Sequence, residues 1–340
     1  MHPADAPRVI HFQIHPGLEQ IVFTELRELF PSAQVEVTSR DAIRVTSAAV
    51  GEAVRARTVI AAFVERSFVF ARPTGLLGHE ALTMVADDAL LAVNLGEAAT
   101  SFRVTAAGMN TPVFKRWIAA LGEATGLAHD PVTGDVVIRV LRHPLTGWRV
   151  LTRLTARPLS SRPWRVPGFQ GALDASVAAA MVRAASPQQD ELFLDPTCGS
   201  GTTLIEHLWM NPGTAAVGCD INSAALASAT VNASSAGVDI TLLQADAQRL
   251  PLRDESVGVV CANLPWGHQF GSADQNDRLY QGVLSASARV GTEDCRIVVL
   301  THAIRQFEAA LAKQSTWQTH QRHQVTLRGH HPILWVLHRR

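Results

Sequence analysis

The sequence predicts an α/β chain in which residues 191–340 form a doubly wound parallel sheet ending in an antiparallel hairpin, preceded by two α+β modules. Three observations predict this. From residue 191 onward, apolar strand-like runs alternate regularly with helix-like runs, the pattern of parallel strands joined by crossover helices. A glycine turn, Cys198-Gly199-Ser200-Gly201, follows the first of those strands and opens a helix. Before residue 158 the elements are shorter and come in a different order.

Taken in order, Val9-Ile10-His11-Phe12-Gln13-Ile14 alternates as a strand does. Pro16-Gly17 then opens a helix with Leu18, Ile21, Val22, Leu26 and Leu29 at helical spacing. Strands at 34–38 and 42–46, a helix at 50–63 and a strand at 66–71 complete a β-α-β-β-α-β order of the ferredoxin-like kind. Arg72-Pro73-Thr74-Gly75 punctuates the chain, so 1–72 is expected as one domain. Helices at 78–94 and 112–126, with strands at 100–106, 135–141 and 148–155, make a second over 73–158. Residues 159–190 are a linker, rich in proline at first and then helical over 172–185.

The third domain, 191–340, has strands at 191–195, 214–219, 239–243, 256–262 and 295–301. Helices near 202–210, 223–236, 276–290 and 303–313 separate or follow them. Strands at 322–328 and 332–338, joined by Gly329-His330-His331, form the terminal hairpin.

Composition narrows the function classes. The 340 residues carry zero net charge and only 18% charged side chains, so any affinity for a polyanion must come from a local patch. Residues 1–30 lack a charged segment followed by an apolar one, and no window is apolar enough to span a bilayer. The cysteines at 198, 219, 261 and 295 are widely spaced with no CxxC pair, which argues against a disulfide framework or a zinc site. A cytoplasmic, metal-free monomer is the expectation.

The segment Leu192-Phe193-Leu194-Asp195-Pro196-Thr197-Cys198-Gly199-Ser200-Gly201-Thr202 is an apolar strand, an acid and a glycine turn. Ligands of open α/β sheets bind at the carboxyl ends of the strands. A dinucleotide would place its pyrophosphate here, and Asp195 would repel it; a cationic cofactor with an ammonium group tolerates that carboxylate. Asp220 ends the second strand, where it can accept from ribose hydroxyls, and Asp246 follows the third, where it can accept from an adenine amine. Three acids after three consecutive strands point to S-adenosylmethionine. Pro196, Cys198, Gly199, Gly201, Thr202, Ile221, Ala247 and Asn263 complete the expected cofactor contacts.

The fourth strand ends in Asn263-Leu264-Pro265-Trp266-Gly267. An exocyclic amine on a planar ring is a weak nucleophile because its lone pair is delocalised. Two acceptors on its N–H groups, the Asn263 amide oxygen and a backbone carbonyl near Leu264, would expose that pair, with Pro265 fixing the turn. Trp266 offers a face on which a base can stack. Asn263, Pro265 and Trp266 are therefore the candidate catalytic residues. Methylation of a ring carbon is disfavoured, because it needs a cysteine in this loop and the nearest thiol, Cys261, lies within the strand.

Three stretches resemble the THUMP-domain RNA methyltransferases, especially the tRNA guanine-N2-methyltransferases among them. They are DPTCGSGT at 195–202, NLPWG at 263–267, and Arg162-Pro163-Trp164-Arg165 together with GALDASVAAAM at 171–181. The resemblance implies an N-terminal ferredoxin-like domain, a THUMP domain that grips the 3′ end of tRNA, and a Rossmann-like class I catalytic domain. It also implies cofactor contacts by Asp195, Gly199, Gly201, Asp220 and Asp246, with Asn263 and Pro265 holding the target amine. Asp174-Ala175-Ser176 departs from the family, which often has a proline there.

RNA would need a basic surface, and no acid occurs between Asp135 and Asp174. That stretch holds Arg139, Arg142, Arg149, Arg153, Arg157, Arg162 and Arg165, interleaved with Trp148 and Trp164. Lys115 and Arg116 would extend it. The resulting expectation is an enzyme methylating guanine N2 in tRNA. Adenine N6, a protein glutamine amide, or a catalytically silent RNA-binding protein remain alternatives.

Overall fold

The computed structural model describes residues 6–95, 99–143, 147–166, 172–265 and 273–340, the side chains of 273–276 apart. Contacts divide it into two compact units, residues 1–14 with 22–160, and residues 15–21 with 161–340.

The first unit is built on one eight-stranded sheet. Strands β1 (Arg8–Gln13), β2 (Gln34–Ser39), β3 (Ala42–Ser47) and β4 (Ala61–Phe68) come first, then β5 (Ser101–Ala106), β6 (Ala128–His129), β7 (Val136–His143) and β8 (Gly147–Arg153). The order is β2-β3-β1-β4-β8-β7-β5-β6. The first four strands pair antiparallel in the ferredoxin-like arrangement. The β4–β8 pairing, Phe63↔Arg153 through Phe68↔Trp148, carries the sheet across the boundary expected at 72/73, so no break in the sheet marks it. Helices α1 (Glu19–Leu29), α2 (His79–Leu95) and α3 (Pro112–Thr125) accompany these strands. The core over the second half of the sheet is aromatic, with Phe114 edge-on to both Trp117 and Trp148.

The helix expected at 50–63 is a correction. Only Val50–Arg55 turns, as a 3-10 helix, and β4 begins at Ala61 rather than 66. The run Ala61-Ala62-Phe63-Val64 is buried at every position. A central strand covered on both faces loses the alternation that distinguishes it from a helix.

The second unit is a seven-stranded sheet of β9 (Leu192–Asp195), β10 (Ala215–Asp220), β11 (Thr241–Gln244), β12 (Val257–Asn263), β13 (Gly291–Thr301), β14 (Trp317–Gln324) and β15 (Ile333–Arg339). Its order is β11-β10-β9-β12-β13-β15-β14, parallel except for the β15 and β14 pairings. The chain steps outward from β9 to β11 and then restarts at β12 on the other side. That reversal makes a switch point between β9 and β12, where the carboxyl ends open a crevice. Helices α4 (Ala175–Ala185), α5 (Thr202–Met210), α6 (Ser223–Ala236), α7 (Ala273–Val290) and α8 (Ile304–Ala312) complete the unit.

Two sequence expectations change here. The first hairpin strand is 317–324, not 322–328, although the turn is at the expected place, with Arg328 and Gly329 at positive φ and Leu327 bridged to His330. Trp317 anchors that strand, buried and donating its indole N–H to the Leu284 carbonyl at 3.1 Å. The rest of β14 lies mostly exposed at the sheet edge and shows no apolar alternation to read. Helix α4 starts at Ala175 rather than 172 because Asp174 caps it by accepting from the Ser176 N–H at 2.9 Å. Burial raises the Asp174 carboxyl, but hydrogen bonds from His15 and Ser176 hold it at about 2.

Candidate cofactor and methyl-transfer site

The turn after β9 is tied internally. The Cys198 N–H donates to the Cys219 carbonyl at 2.9 Å, and the Gly201 N–H to the Cys198 carbonyl at 2.8 Å. Gly199 and Gly201 have φ of 53° and 79°, left-handed conformations that glycine adopts without a Cβ clash. Asp195 is 2% exposed; one oxygen accepts from the Thr197 N–H at 2.9 Å and the other from the Thr203 hydroxyl. Burial pushes its carboxyl up to about 7, against the Thr203 hydrogen bond that lowers it. Pro196, Cys198 and Thr202 are buried beside it, and burial raises the Cys198 thiol far above its usual range.

Asp220 ends β10 with its carboxylate turned onto this loop, accepting from the Gly199 and Asn222 N–H groups, each at 2.9 Å. Two oxygens offer about four acceptor positions, so capacity remains for ribose hydroxyls. Ile221, next in the chain, is 72% exposed, a flat apolar surface suited to an adenine ring. Asp246 follows β11 and accepts from the Gln248 N–H at 2.9 Å, while Ala247 is buried in the core. The donor set, the left-handed turn and the exposed Ile221 fit an S-adenosyl group.

At the end of β12 the balance reverses. The Asn263 side-chain oxygen is buried and, among the described residues, has no hydrogen-bond partner. The Leu264 N–H donates to the Leu300 carbonyl at 3.0 Å, and the Pro265 carbonyl accepts from the Tyr280 hydroxyl at 2.5 Å. The Thr197 hydroxyl lies 3.5 Å from the Asn263 carbonyl, so turn and loop meet. Trp266 lies outside the described residues.

Three supports of the turn escape sequence reasoning. Asn232 of α6, 2% exposed, donates to the Ser200 carbonyl and accepts from the Val166 N–H, both at 2.9 Å. Arg162 pairs with the buried Glu206 of α5, its Nε 2.8 Å from Oε1. Arg165 donates to the Thr202 hydroxyl at 3.0 Å and to the Leu173 carbonyl at 2.7 Å. The Arg162-to-Arg165 block therefore braces the cofactor turn.

This corrects most of the expected arginine surface. Trp164 and Arg162 are buried, and Arg165 is directed at Thr202. Arg153 is 4% exposed and donates to the Thr155 and Ala156 carbonyls, with burial lowering it to about 10. Arg139 lies over the Phe63 ring at 4.7 Å, and Arg149 comes within 3.9 Å of Glu65 on β4. The stretch lacks acids in sequence but meets Glu65 and Glu206 in space. Lys115, Arg116, Arg142 and Arg157 are exposed, with Arg142 flanking the Trp148 ring.

A family model described as UPF0020, RMKL-like methyltransferase domain, matches residues 162–333, the span that holds every element of this site. The chain belongs to that methyltransferase family. It is an S-adenosylmethionine-dependent class I enzyme. The tRNA (guanine(6)-N2)-methyltransferase of Thermus thermophilus is 30% identical over 300 residues, covering 84% of this methyltransferase and 87% of that protein. The U6 snRNA (guanine-N(2))-methyltransferase THUMPD2 of Bos taurus is 34% identical over 111 residues, 32% of this chain and 22% of that one. The crystal structure of TrmN from Thermus thermophilus superposes with a TM-score of 0.79 at 28% identity, covering 98% of this methyltransferase and 99% of that chain. Among the described residues no helix is long and apolar enough to cross a membrane, and no cluster of three or more His, Cys, Asp or Glu could hold a metal ion.

Proposed function

We propose that this methyltransferase places a methyl group on the exocyclic N2 amine of guanosine in tRNA, at position 6, in the cytoplasm. The observation that carries the reading is the buried, unpartnered Asn263 oxygen at the mouth of the β9/β12 crevice. When bound, S-adenosylmethionine supplies an electrophilic methyl on a sulfonium centre. The chain supplies position and hydrogen bonds. Asp220 and Asp246 would hold the ribose and adenine, and Asp195 would balance the ammonium group. Asn263 Oδ1 and the Leu264 carbonyl would accept from the amine, freeing its lone pair for in-line attack. No covalent nucleophile is required, and Cys261, within β12, is fully buried with its thiol pushed up by that burial.

The likeness to the Thermus thermophilus protein runs nearly the length of both chains, whereas that to the U6 snRNA enzyme covers a third of this one, so tRNA is the favoured RNA. Of the basic residues expected to meet RNA, Lys115, Arg116, Arg142 and Arg157 are exposed and would meet its phosphates. The test is incubation with S-adenosylmethionine and unmodified tRNA transcripts, followed by nucleoside mass spectrometry. N2-methylguanosine is the expected product; N6-methyladenosine, or methylated protein in place of RNA, would overturn the reading.

A further inference from the structure

Tyr280 is the only tyrosine in the chain, and it is fully buried on α7 with its ring edge-on to Phe307. Its hydroxyl reaches the reacting loop, 2.5 Å from the Pro265 carbonyl, and also lies 3.1 Å from the Thr301 hydroxyl at the end of β13. A carbonyl can only accept, and a phenol carries one proton. That proton is therefore committed to Pro265, and Thr301 must donate to Tyr280. Thr301 in turn accepts from the Ala303 N–H at 3.1 Å. The result is a directional chain from Ala303 through Thr301 and Tyr280 to Pro265, in which each bond polarises the next. Burial raises the phenol above its ordinary value of 10, which keeps it a donor at neutral pH.

The loop is thus tied on both sides of one peptide unit. The Leu264 N–H is held by Leu300 and the Pro265 carbonyl by Tyr280, while the proline ring fixes φ between them. What stays untied lies in the middle: among the described residues the Leu264 carbonyl accepts no hydrogen bond, and Asn263 Oδ1 has no partner. We infer that Tyr280 is a positioning residue for methyl transfer, holding the Pro265 carbonyl so that the Leu264 carbonyl and the Asn263 amide converge on the target amine. This rests on the proposed amine methylation at the loop.

Tyr280→Phe keeps the buried ring and removes only the hydroxyl. The expected result is a fall in kcat of about tenfold or more, since small misplacements at a reacting centre are costly. The dissociation constant for S-adenosylmethionine and the KM for tRNA should stay within about threefold, because the cofactor turn and the exposed cations are untouched. Deuterium uptake should quicken in the peptide covering residues 259–265 and not elsewhere. Thr301→Val, which removes the donor to Tyr280, should move both readouts the same way by less. Unchanged kcat and uptake in Tyr280→Phe would overturn the inference, as would a kcat loss matched by equal losses of cofactor binding and folded fraction. A wild-type protein inactive on tRNA would sink the functional reading instead, while the uptake difference still reports whether Tyr280 holds the loop.

Discussion

The turn after β9 and the loop after β12 sit side by side at the carboxyl edge of one sheet, yet they treat their acceptors in opposite ways. Around the turn, Asp195 and Asp220 each have both carboxylate oxygens engaged by protein donors, and Arg162, Arg165 and Asn232 brace it from behind. At the loop, the backbone on either side is tied while Asn263 Oδ1 is left buried and open. A binding site gains from a shape fixed before the ligand arrives, because less ordering remains to oppose binding. A reacting site gains from an acceptor that only the correct donor can satisfy, since a buried unpaired polar atom costs about 1–3 kcal/mol until it is paired. On the proposed function, the difference assigns binding to the turn and chemistry to the loop.

The largest effect should come from the brace. Arg162→Ala takes the guanidinium away from the buried Glu206 carboxylate and should lower stability by about 3–5 kcal/mol, read as the midpoint of denaturant unfolding. Unaltered stability would mean that the block contributes surface rather than support.

Next comes Asn263→Ala, with kcat expected to fall by about 100-fold or more, the scale of losing one preorganised hydrogen-bond partner of a transition state. The cofactor dissociation constant should change little. The reverse pattern, weakened binding with intact kcat, would erase the division between turn and loop.

Asp220→Ala should act on the other side of that division. Loss of its charged hydrogen bonds predicts cofactor binding weaker by roughly 10- to 100-fold in calorimetry, with kcat at saturating cofactor nearly unchanged.

The smallest effect concerns pH. Burial lifts Asp195 from its ordinary 3.8 to about 7, so the folded protein holds a proton there that the unfolded chain has lost. Its contribution to stability therefore falls as pH rises from about 4 to about 7. An ammonium ligand favours the ionised form, so cofactor affinity should strengthen as pH rises toward 7, by at most about tenfold per unit, with release of a proton. Asp195→Asn should flatten that dependence in titrations run between pH 5.5 and 8.

What was legible in the sequence follows from how locally each feature is encoded. The glycine turn, the acids ending β10 and following β11, and the Asn263 loop each lie within a few residues of a strand end, and chain order alone placed them at one edge of the sheet. Strand β4 is not legible because burial on both faces removes its period, and β14 because exposure at the edge gives it none. Asn232, Glu206 and Tyr280 act across 32, 44 and 15 residues of chain, a reach that no spacing rule reports. The arginine stretch looks like an open basic surface in sequence for the same reason: its acidic partners come from β4 and α5.

The central claim is that the loop acts on one amine of one base. A tRNA transcript carrying inosine in place of guanosine at position 6 keeps the ring, O6 and N1–H and lacks only the N2 amine. With labelled S-adenosylmethionine, the guanosine transcript should gain one equivalent of label as N2-methylguanosine and the inosine transcript none. Equal labelling of both would contradict the account.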